Sequence, residues 1–357
     1  MRVLQICSAR SIGGGERHVI DLSNRMTERG HEVFLAVVPG SPLIAQLDNS
    51  ISDRIFTLPL RNALDISSAI RIARHVRSHK IGLLNAHLAR DYPITAAAAQ
   101  LAKVPFVITR HVLFPMSRLH RLILRKASFV IAPSNAVAAN LRREAIFPDE
   151  KIVTIRYGLD VDRFEASQRN SDPFLRVGAI GNLDPVKGFD TLIHAAKIVH
   201  AENPSARFEI IGEDRSQTGE NRKALEELIG RLELAEVVRL SGWSDDIGKK
   251  LAGFDLFVSS SRSESFGFVI AEAMLSGLPV IATETEGAKE IISDLPLGML
   301  VPIASPEAMA RAINDLLNDE MKRRQLAKFG RQHVEEHFSL GRMVEQTEKL
   351  YESVLRP

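Results

Sequence analysis

A chain of 357 residues, 45% hydrophobic and 25% charged, is too long for one ordinary core and too apolar for a disordered one, so two globular domains are expected. Its net charge of +2 hides an asymmetry: residues 1–170 carry 24 Lys+Arg against 14 Asp+Glu and the remainder is acidic, so the first half argues for anionic partners. The single cysteine, Cys7, rules out a disulfide framework and points to a reducing compartment, and neither a signal-peptide core nor a run of the ~20 apolar residues of a spanning helix is present.

Arg2 to Cys7 reads as a short apolar strand, followed by Ser11-Ile12-Gly13-Gly14-Gly15-Glu16 and a helix to about Arg29, closed by Gly30. A glycine-rich loop between strand and helix lets backbone approach a ligand closely. It is not the dinucleotide fingerprint, because His18 stands where a glycine is needed, and on its glycines alone it reads as a tight turn. Strand-like runs continue at Glu32–Val38, Ile55–Leu58, Gly82–Ala86, Phe106–Thr109, Phe129–Ala132 and Ile152–Ile155, with helical patterns between them, notably Leu64–His79 and Tyr92–Leu101. This alternation predicts a parallel sheet covered on both faces, with ligands bound beyond the strands' carboxyl ends. His111 ends one such strand; a lone histidine there is either a satisfied structural residue or a functional one.

No acidic residue occurs from Tyr92 to Arg143. Within that stretch Pro115 to Lys126 (PMSRLHRLILRK) is basic and amphipathic. It is either a surface helix packing Leu119, Leu122 and Ile123 inward or a helix lying on an anionic membrane face. Ser134 reads as the N-cap of the next helix. Asp160-Val161-Asp162 is formally D-x-D and reads as turn chemistry rather than a metal site. Glu165 to Pro173 is polar and poor in apolar residues, the best linker in the chain.

A second α/β run starts at Leu175. The strand Leu175–Ile180 leads into the loop Gly181-Asn182-Leu183-Asp184-Pro185-Val186-Lys187-Gly188 and a helix Phe189–His200. A lysine at a strand's end, opening a helix, can neutralise a diphosphate. Arg207–Ile211 and Val237–Leu240 are further strands, the second ending in Ser241-Gly242-Trp243; the only tryptophan is either a pocket wall or a core anchor. Leu256–Ser261 suits a buried strand, and Phe266-Gly267-Phe268 leads into a buried helix Val269–Ser276, ended by Gly277 and Pro279 before a strand at Val280–Ala282. Glu264 falls in the loop before that helix and Glu272 about two turns inside it. Two carboxylates thus flank a helix N-terminus, whose free N–H groups attract anions. A last strand at Met299–Pro302 and helices Pro306–Leu317, Met321–His333 and Leu340–Leu355 complete the chain, which has no internal repeat.

The stretch SRSESFGFVIAEAMLSGLPVIAT, with its E-x7-E spacing and the G-x-P-V-I-A behind it, resembles the retaining glycosyltransferases of family 4 (glycosyltransferase group 1). GNLDPVKG is similar to that family's G-R-L-x-x-x-K-G, GGGERHVIDL to its first loop, and TIRYGLDVDRF to the segment that closes its first domain, usually N-G-[IVF]-D. Two positions depart from the pattern: Asn182 replaces an arginine that supplies a second phosphate cation, and Tyr157 stands where asparagine is usual. The resemblance implies an α/β GT-B fold, two Rossmann-like α/β/α domains facing across a cleft. Residues 1–168 would form the acceptor-side domain, 169–338 the nucleotide-sugar-binding domain, and 339–357 a helix crossing back to the first.

The same resemblance implies site residues. Gly14 and Gly15 would contact donor phosphates and acceptor, and His111 would lie near the transferring sugar. Lys187 would neutralise the leaving phosphate, beside Asn182. Backbone N–H groups of Phe266, Gly267 and Phe268 would hold the diphosphate, and Gly242 would lie near the base. Glu264 would bind the sugar's hydroxyls and Glu272 the ribose. Lys187, Glu264 and His111 are the expected catalytic residues. The expected activity is retaining transfer of a sugar from a nucleotide-sugar donor to a hydroxyl of a glycan or lipid-linked acceptor, in cell-envelope polysaccharide or lipopolysaccharide synthesis. No metal and no other cofactor is expected, nor a nucleic-acid partner. The expected location is the cytoplasm or the inner face of the membrane, with the basic first domain against an anionic surface. A GT-B nucleotide-sugar epimerase and a catalytically degenerate ligand-binding or scaffold protein are the alternatives.

Overall fold

A computed structural model describes residues 1–116, 119–164, 174–244, 246–292 and 296–356, the side chains of 119 and 121 excepted; the expected linker 165–173, and with it the 168/169 boundary, lies outside them. The chain divides into two units, Met1–Gly158 with Leu340–Pro357, and Leu159–Ser339.

The first unit is built on seven parallel strands: β1 (Arg2–Cys7), β2 (Glu32–Val37), β3 (Ile55–Thr57), β4 (Leu83–Ala86), β5 (Phe106–Thr109), β6 (Val130–Ala132) and β7 (Ile152–Thr154), in the order 3-2-1-4-5-6-7. The inner strands read as continuous apolar runs because helices cover both faces: in β1, Val3 pairs with Val33 on one side and Leu83 on the other. Between strands, helix Gly14–Glu28 buries Val19, Leu22 and Met26, a helical spacing that turns one face to the sheet. Helix Ile66–Ser78 is capped by Asp65, whose side chain accepts from the Ser68 N–H, and helix Asn135–Glu144 by Ser134, which accepts from the Val137 N–H. The last helix, Leu340–Leu355, belongs to this unit. Its Met343, Val344 and Tyr351 join a core with Val3, Leu22 and Leu83. Glu348 on it accepts from Arg29 Nε and pairs with His31 Nε2, both at 2.7 Å.

The basic stretch forms only a six-residue helix, Leu119–Leu124. Among its described side chains Leu124 is the buried one, whereas Leu122 is 75% exposed and Ile123 42% exposed; the expected inward Leu119 lies outside them. This corrects the inward reading of Leu122 and Ile123. At ~100° per residue, anchoring Leu124 in the core turns its two predecessors outward.

The second unit carries six parallel strands: β8 (Leu175–Ile180), β9 (Ala206–Ile211), β10 (Val238–Leu240), β11 (Leu256–Ser259), β12 (Val280–Thr283) and β13 (Met299–Val301), in the order 10-9-8-11-12-13. Each sheet therefore reverses its direction of growth once, between β1 and β4 in the first and between β8 and β11 in the second. In open parallel sheets that reversal opens a crevice at the strands' carboxyl ends. No helix among the described residues is long and apolar enough to cross a membrane.

Candidate functional site

At the reversal in the second sheet, the loops after β8 and β11 face each other. The β8 loop holds a short 3-10 turn, Pro185–Lys187, started by Asp184, whose side chain accepts from the Val186 N–H. It ends at Gly188, with φ of 62°. A Cβ there would lie 2.2 Å from the Ser260 carbonyl oxygen, so both the turn and the close approach of the second loop require glycine. Ser260 Oγ donates to the Lys187 carbonyl at 2.8 Å and the Arg262 N–H donates to the Val186 carbonyl at 2.7 Å, which sews the loops together.

Lys187 Nζ thereby meets Glu264 Oε2 at 2.6 Å, with 23% and 17% of the two side chains exposed. The Gly287 N–H, donating to the Glu264 carbonyl at 3.0 Å, fixes the carboxylate's backbone. Gly267, with φ of 96°, then turns the chain into helix Phe268–Leu275. Glu272 lies inside this helix and is buried. The arrangement joins a cation, a carboxylate and a helix start at one point, a setting suited to an anionic ligand that also carries hydroxyls. A second cation, Arg262, is paired with Asp190 at 2.6 Å beside the same loop.

The ends of β8, β9 and β10 also interlock. The Gly181 N–H donates to the Ile211 carbonyl at 2.9 Å and the Gly212 N–H to the Gly242 carbonyl at 2.8 Å. Asn182 is half-buried in the β8 loop, and its carbonyl accepts from the Asp184 N–H at 2.7 Å. Trp243 is 55% exposed, so it is not a core anchor; the Arg215 guanidinium lies 5.8 Å from its ring centre. Phe266 is fully buried against Phe268 and Phe338 and contributes its ring to the core.

The reversal in the first sheet has a different chemistry. Gly14 and Gly15 open helix Gly14–Glu28, with Gly13 as N-cap and the Gly13 N–H donating to Glu16 Oε2 at 3.0 Å. A Cβ on Gly15 would lie 2.9 Å from His111 Cγ, so the loop rests on that imidazole. His111, only 8% exposed, has both ring nitrogens engaged: Nδ1 is 2.5 Å from the Tyr157 hydroxyl and Nε2 is 3.1 Å from His87 Nδ1. His18 packs against all three rings, with centroids 5.2–5.9 Å away. Burial pushes the His18 imidazole down to about 4, and drives His87 and His111 well below the ordinary histidine range, with neighbouring positive charge adding to the shift. Burial likewise holds the Tyr157 phenol well above its usual value.

The sequence-derived residues thus fall into two groups. Lys187 and Glu264 come together just ahead of helix Phe268–Leu275, with Asn182 elsewhere in the loop that carries Lys187, while Gly15 meets His111 in the first unit at the loop that also holds Gly14. His87, His18 and Arg262 are missed by motif reading. His87 had a signal: it directly follows β4 as His111 follows β5 after Arg110, a strand-end position in both.

Comparisons with known proteins show what the chain as a whole is similar to. Residues 12–163 match the family model described as Glycosyltransferase Family 4, and residues 161–333 the model described as Glycosyl transferases group 1. The chain is 29% identical over 336 residues to the lipopolysaccharide core biosynthesis glycosyltransferase LpsE of Rhizobium meliloti, spanning 92% of each protein. It is 29% identical over 354 residues to the phosphatidyl-myo-inositol mannosyltransferase of Mycobacterium tuberculosis, spanning 92% of this chain and 90% of that one. Among solved structures it is similar to HepE of Anabaena in complex with UDP and glucose, with a TM-score of 0.85 at 24% identity, over 99% of this chain and 100% of that one.

Proposed function

The chain belongs to the group 1, family 4 glycosyltransferases and has their GT-B fold, and on that premise we propose that it moves a sugar from a nucleoside-diphosphate-sugar to a hydroxyl of a glycan or lipid-linked acceptor, with retention and without a metal. The observation that carries the proposal is the contact of Lys187 with Glu264 at the reversal of the second sheet. A partly exposed lysine held by a carboxylate is poised to trade part of that contact for an incoming phosphate, leaving the carboxylate free to accept from sugar hydroxyls.

In this reading the glycosidic C–O bond to the diphosphate breaks while the acceptor oxygen bonds the anomeric carbon on the same face. The acceptor's proton passes to the departing phosphate oxygen. Lys187 offsets the charge developing on that phosphate, a preorganised contact of the kind that is often worth ~3 kcal/mol in the transition state. N–H groups near Phe266, Gly267 and Phe268 hold the diphosphate, Glu264 the transferring sugar, Glu272 the ribose, and Gly242 lies near the base. Both ring nitrogens of His111 are engaged inside the first unit, so its proposed part is to support the loop that rests on it, which serves the donor or acceptor in this reading.

The UDP held by HepE supports a nucleotide donor, and relatives named for lipopolysaccharide core biosynthesis and phosphatidyl-myo-inositol mannosylation support an envelope acceptor. The exposed Leu122 and Ile123 beside Arg125 and Lys126 support a cytoplasmic enzyme that rests on an anionic inner membrane face through its first unit. Incubation with a mixed nucleotide-sugar pool and candidate acceptors, read by mass spectrometry, tests the activity. The expected product is an acceptor heavier by one sugar, with nucleoside diphosphate released only when acceptor is present. An isomerised donor with no acceptor requirement would mean an epimerase, and no turnover with any donor would remove the proposal.

A further inference from the structure

We propose that Tyr157 is a positioning residue for His111: its hydroxyl donates to Nδ1 and so sets the ring as the Nε2–H tautomer, which hands that hydrogen to His87. The proposal rests on the reading above that the loop on His111 serves the donor or acceptor.

Four polar groups from separate segments form one line. The Tyr157 hydroxyl lies 2.5 Å from His111 Nδ1, His111 Nε2 lies 3.1 Å from His87 Nδ1, and His87 Nε2 lies 2.8 Å from Gln5 Oε1. The rings are nearly parallel, 4° between Tyr157 and His111 and 14° between His111 and His87. The direction of the hydrogens follows from the far end. Where Gln5 presents its amide oxygen, which only accepts, His87 Nε2 carries a hydrogen and, in a neutral ring, Nδ1 accepts. His111 Nε2 must then donate, its Nδ1 must accept, and the Tyr157 hydroxyl is the donor that remains. Asn85 Nδ2, 3.2 Å from His87 Nε2, instead serves Thr109 Oγ1 at 3.1 Å and the Tyr351 hydroxyl at 2.8 Å.

The surroundings favour a neutral His111. Burial is the main cause; the Arg110 charge at the end of β5 adds to it, as His18 on helix Gly14–Glu28 and His87 at the end of β4 would if protonated. Glu16 and Tyr92 bear on the Tyr157 side of the line. An imidazolium at His111 would also sit beneath the positive end of helix Gly14–Glu28. The consequence reaches the site through Gly15, which leaves no room between loop and ring. A ring held in one plane and one tautomer keeps the loop's backbone donors where they are.

The test uses the full chain labelled with 15N in its histidine rings. In the wild type, His111 is expected as the Nε2–H tautomer near neutral pH and to resist protonation; its signal is assigned by comparison with His111→Asn. In Tyr157→Phe, Nδ1 loses its donor, so the ring should protonate about one pH unit higher, with the acid limb of kcat/KM moving up by the same amount and the alkaline plateau within about threefold of wild type. An Nδ1–H tautomer in the wild type, or a His111 titration unmoved by Tyr157→Phe, would overturn the proposal. A general loss of activity with an unmoved acid limb would likewise reduce Tyr157 to a structural role. Because the ring signals are read without any sugar transfer, an inactive protein with the expected tautomer would refute the proposed function and leave the positioning role standing. If Tyr157→Phe does not fold, the wild-type tautomer alone decides.

Discussion

At the reversal of the second sheet two opposite charges meet, Lys187 and Glu264, each partly open to solvent. At the reversal of the first, His87 and His111 meet as buried neutral rings with their nitrogens paired inside the protein. The same topological position has thus been furnished in two ways. Charges kept near solvent can be re-partnered by a ligand at modest desolvation cost, whereas buried uncharged rings hold backbone in place and would be costly to ionise.

The largest effect should come from removing the charge. Lys187→Ala is expected to lower kcat by about 100-fold with KM within about threefold, as the role proposed for it on the leaving phosphate requires. Steady-state kinetics that showed only a raised KM would erase the contrast, since Lys187 would then be a simple binding group.

Acid should sharpen the other side. His18 takes up its proton near 6.5 when unfolded but only at about 4 when folded. The stability it supports is therefore present above 6.5 and is lost as pH falls from 6.5 toward 4, by about 3 kcal/mol in all. Urea unfolding across that range should show His18→Phe losing distinctly less than the wild type; equal losses would mean the ring is not held neutral.

Glu272→Ala should weaken nucleoside diphosphate binding about tenfold by calorimetry, about 1.4 kcal/mol. An unchanged dissociation constant would place the ribose elsewhere. The smallest effect belongs to the surface: Leu122→Glu should cut flotation with anionic liposomes severalfold while leaving turnover on a water-soluble acceptor unchanged. Equal flotation of the two proteins at low salt would take the helix Leu119–Leu124 out of any membrane contact.

Much of this was legible in the residues themselves. Apolar runs such as Val280–Thr283 and Leu256–Ser259 mark strands buried on both faces, and helix starts carry their caps, as at Ser134 and Asp184. Lys187 and Glu264 were visible because each lies in a short contiguous pattern with its own glycine. The ring line was not, because Gln5, His87, His111 and Tyr157 come from four segments spread over the first unit, and no local spacing relates them. Leu122 and Ile123 misled for a different reason. A helical period reports that one face is apolar, but in a six-residue helix a single anchored residue, Leu124, decides which way that face turns.

The return of helix Leu340–Leu355 to the first unit means that this body is assembled from both extremities of the chain. A fragment ending at Gly158 would lack Met343, Val344 and Tyr351, and would show water the apolar surface they cover and leave Asn85 without its phenol partner. During synthesis the first unit therefore cannot complete its core until residues 340–355 have left the ribosome. A circularly permuted chain that starts at Leu340 and runs through a short linker into Met1 would supply the missing piece first and make this half a free-standing domain.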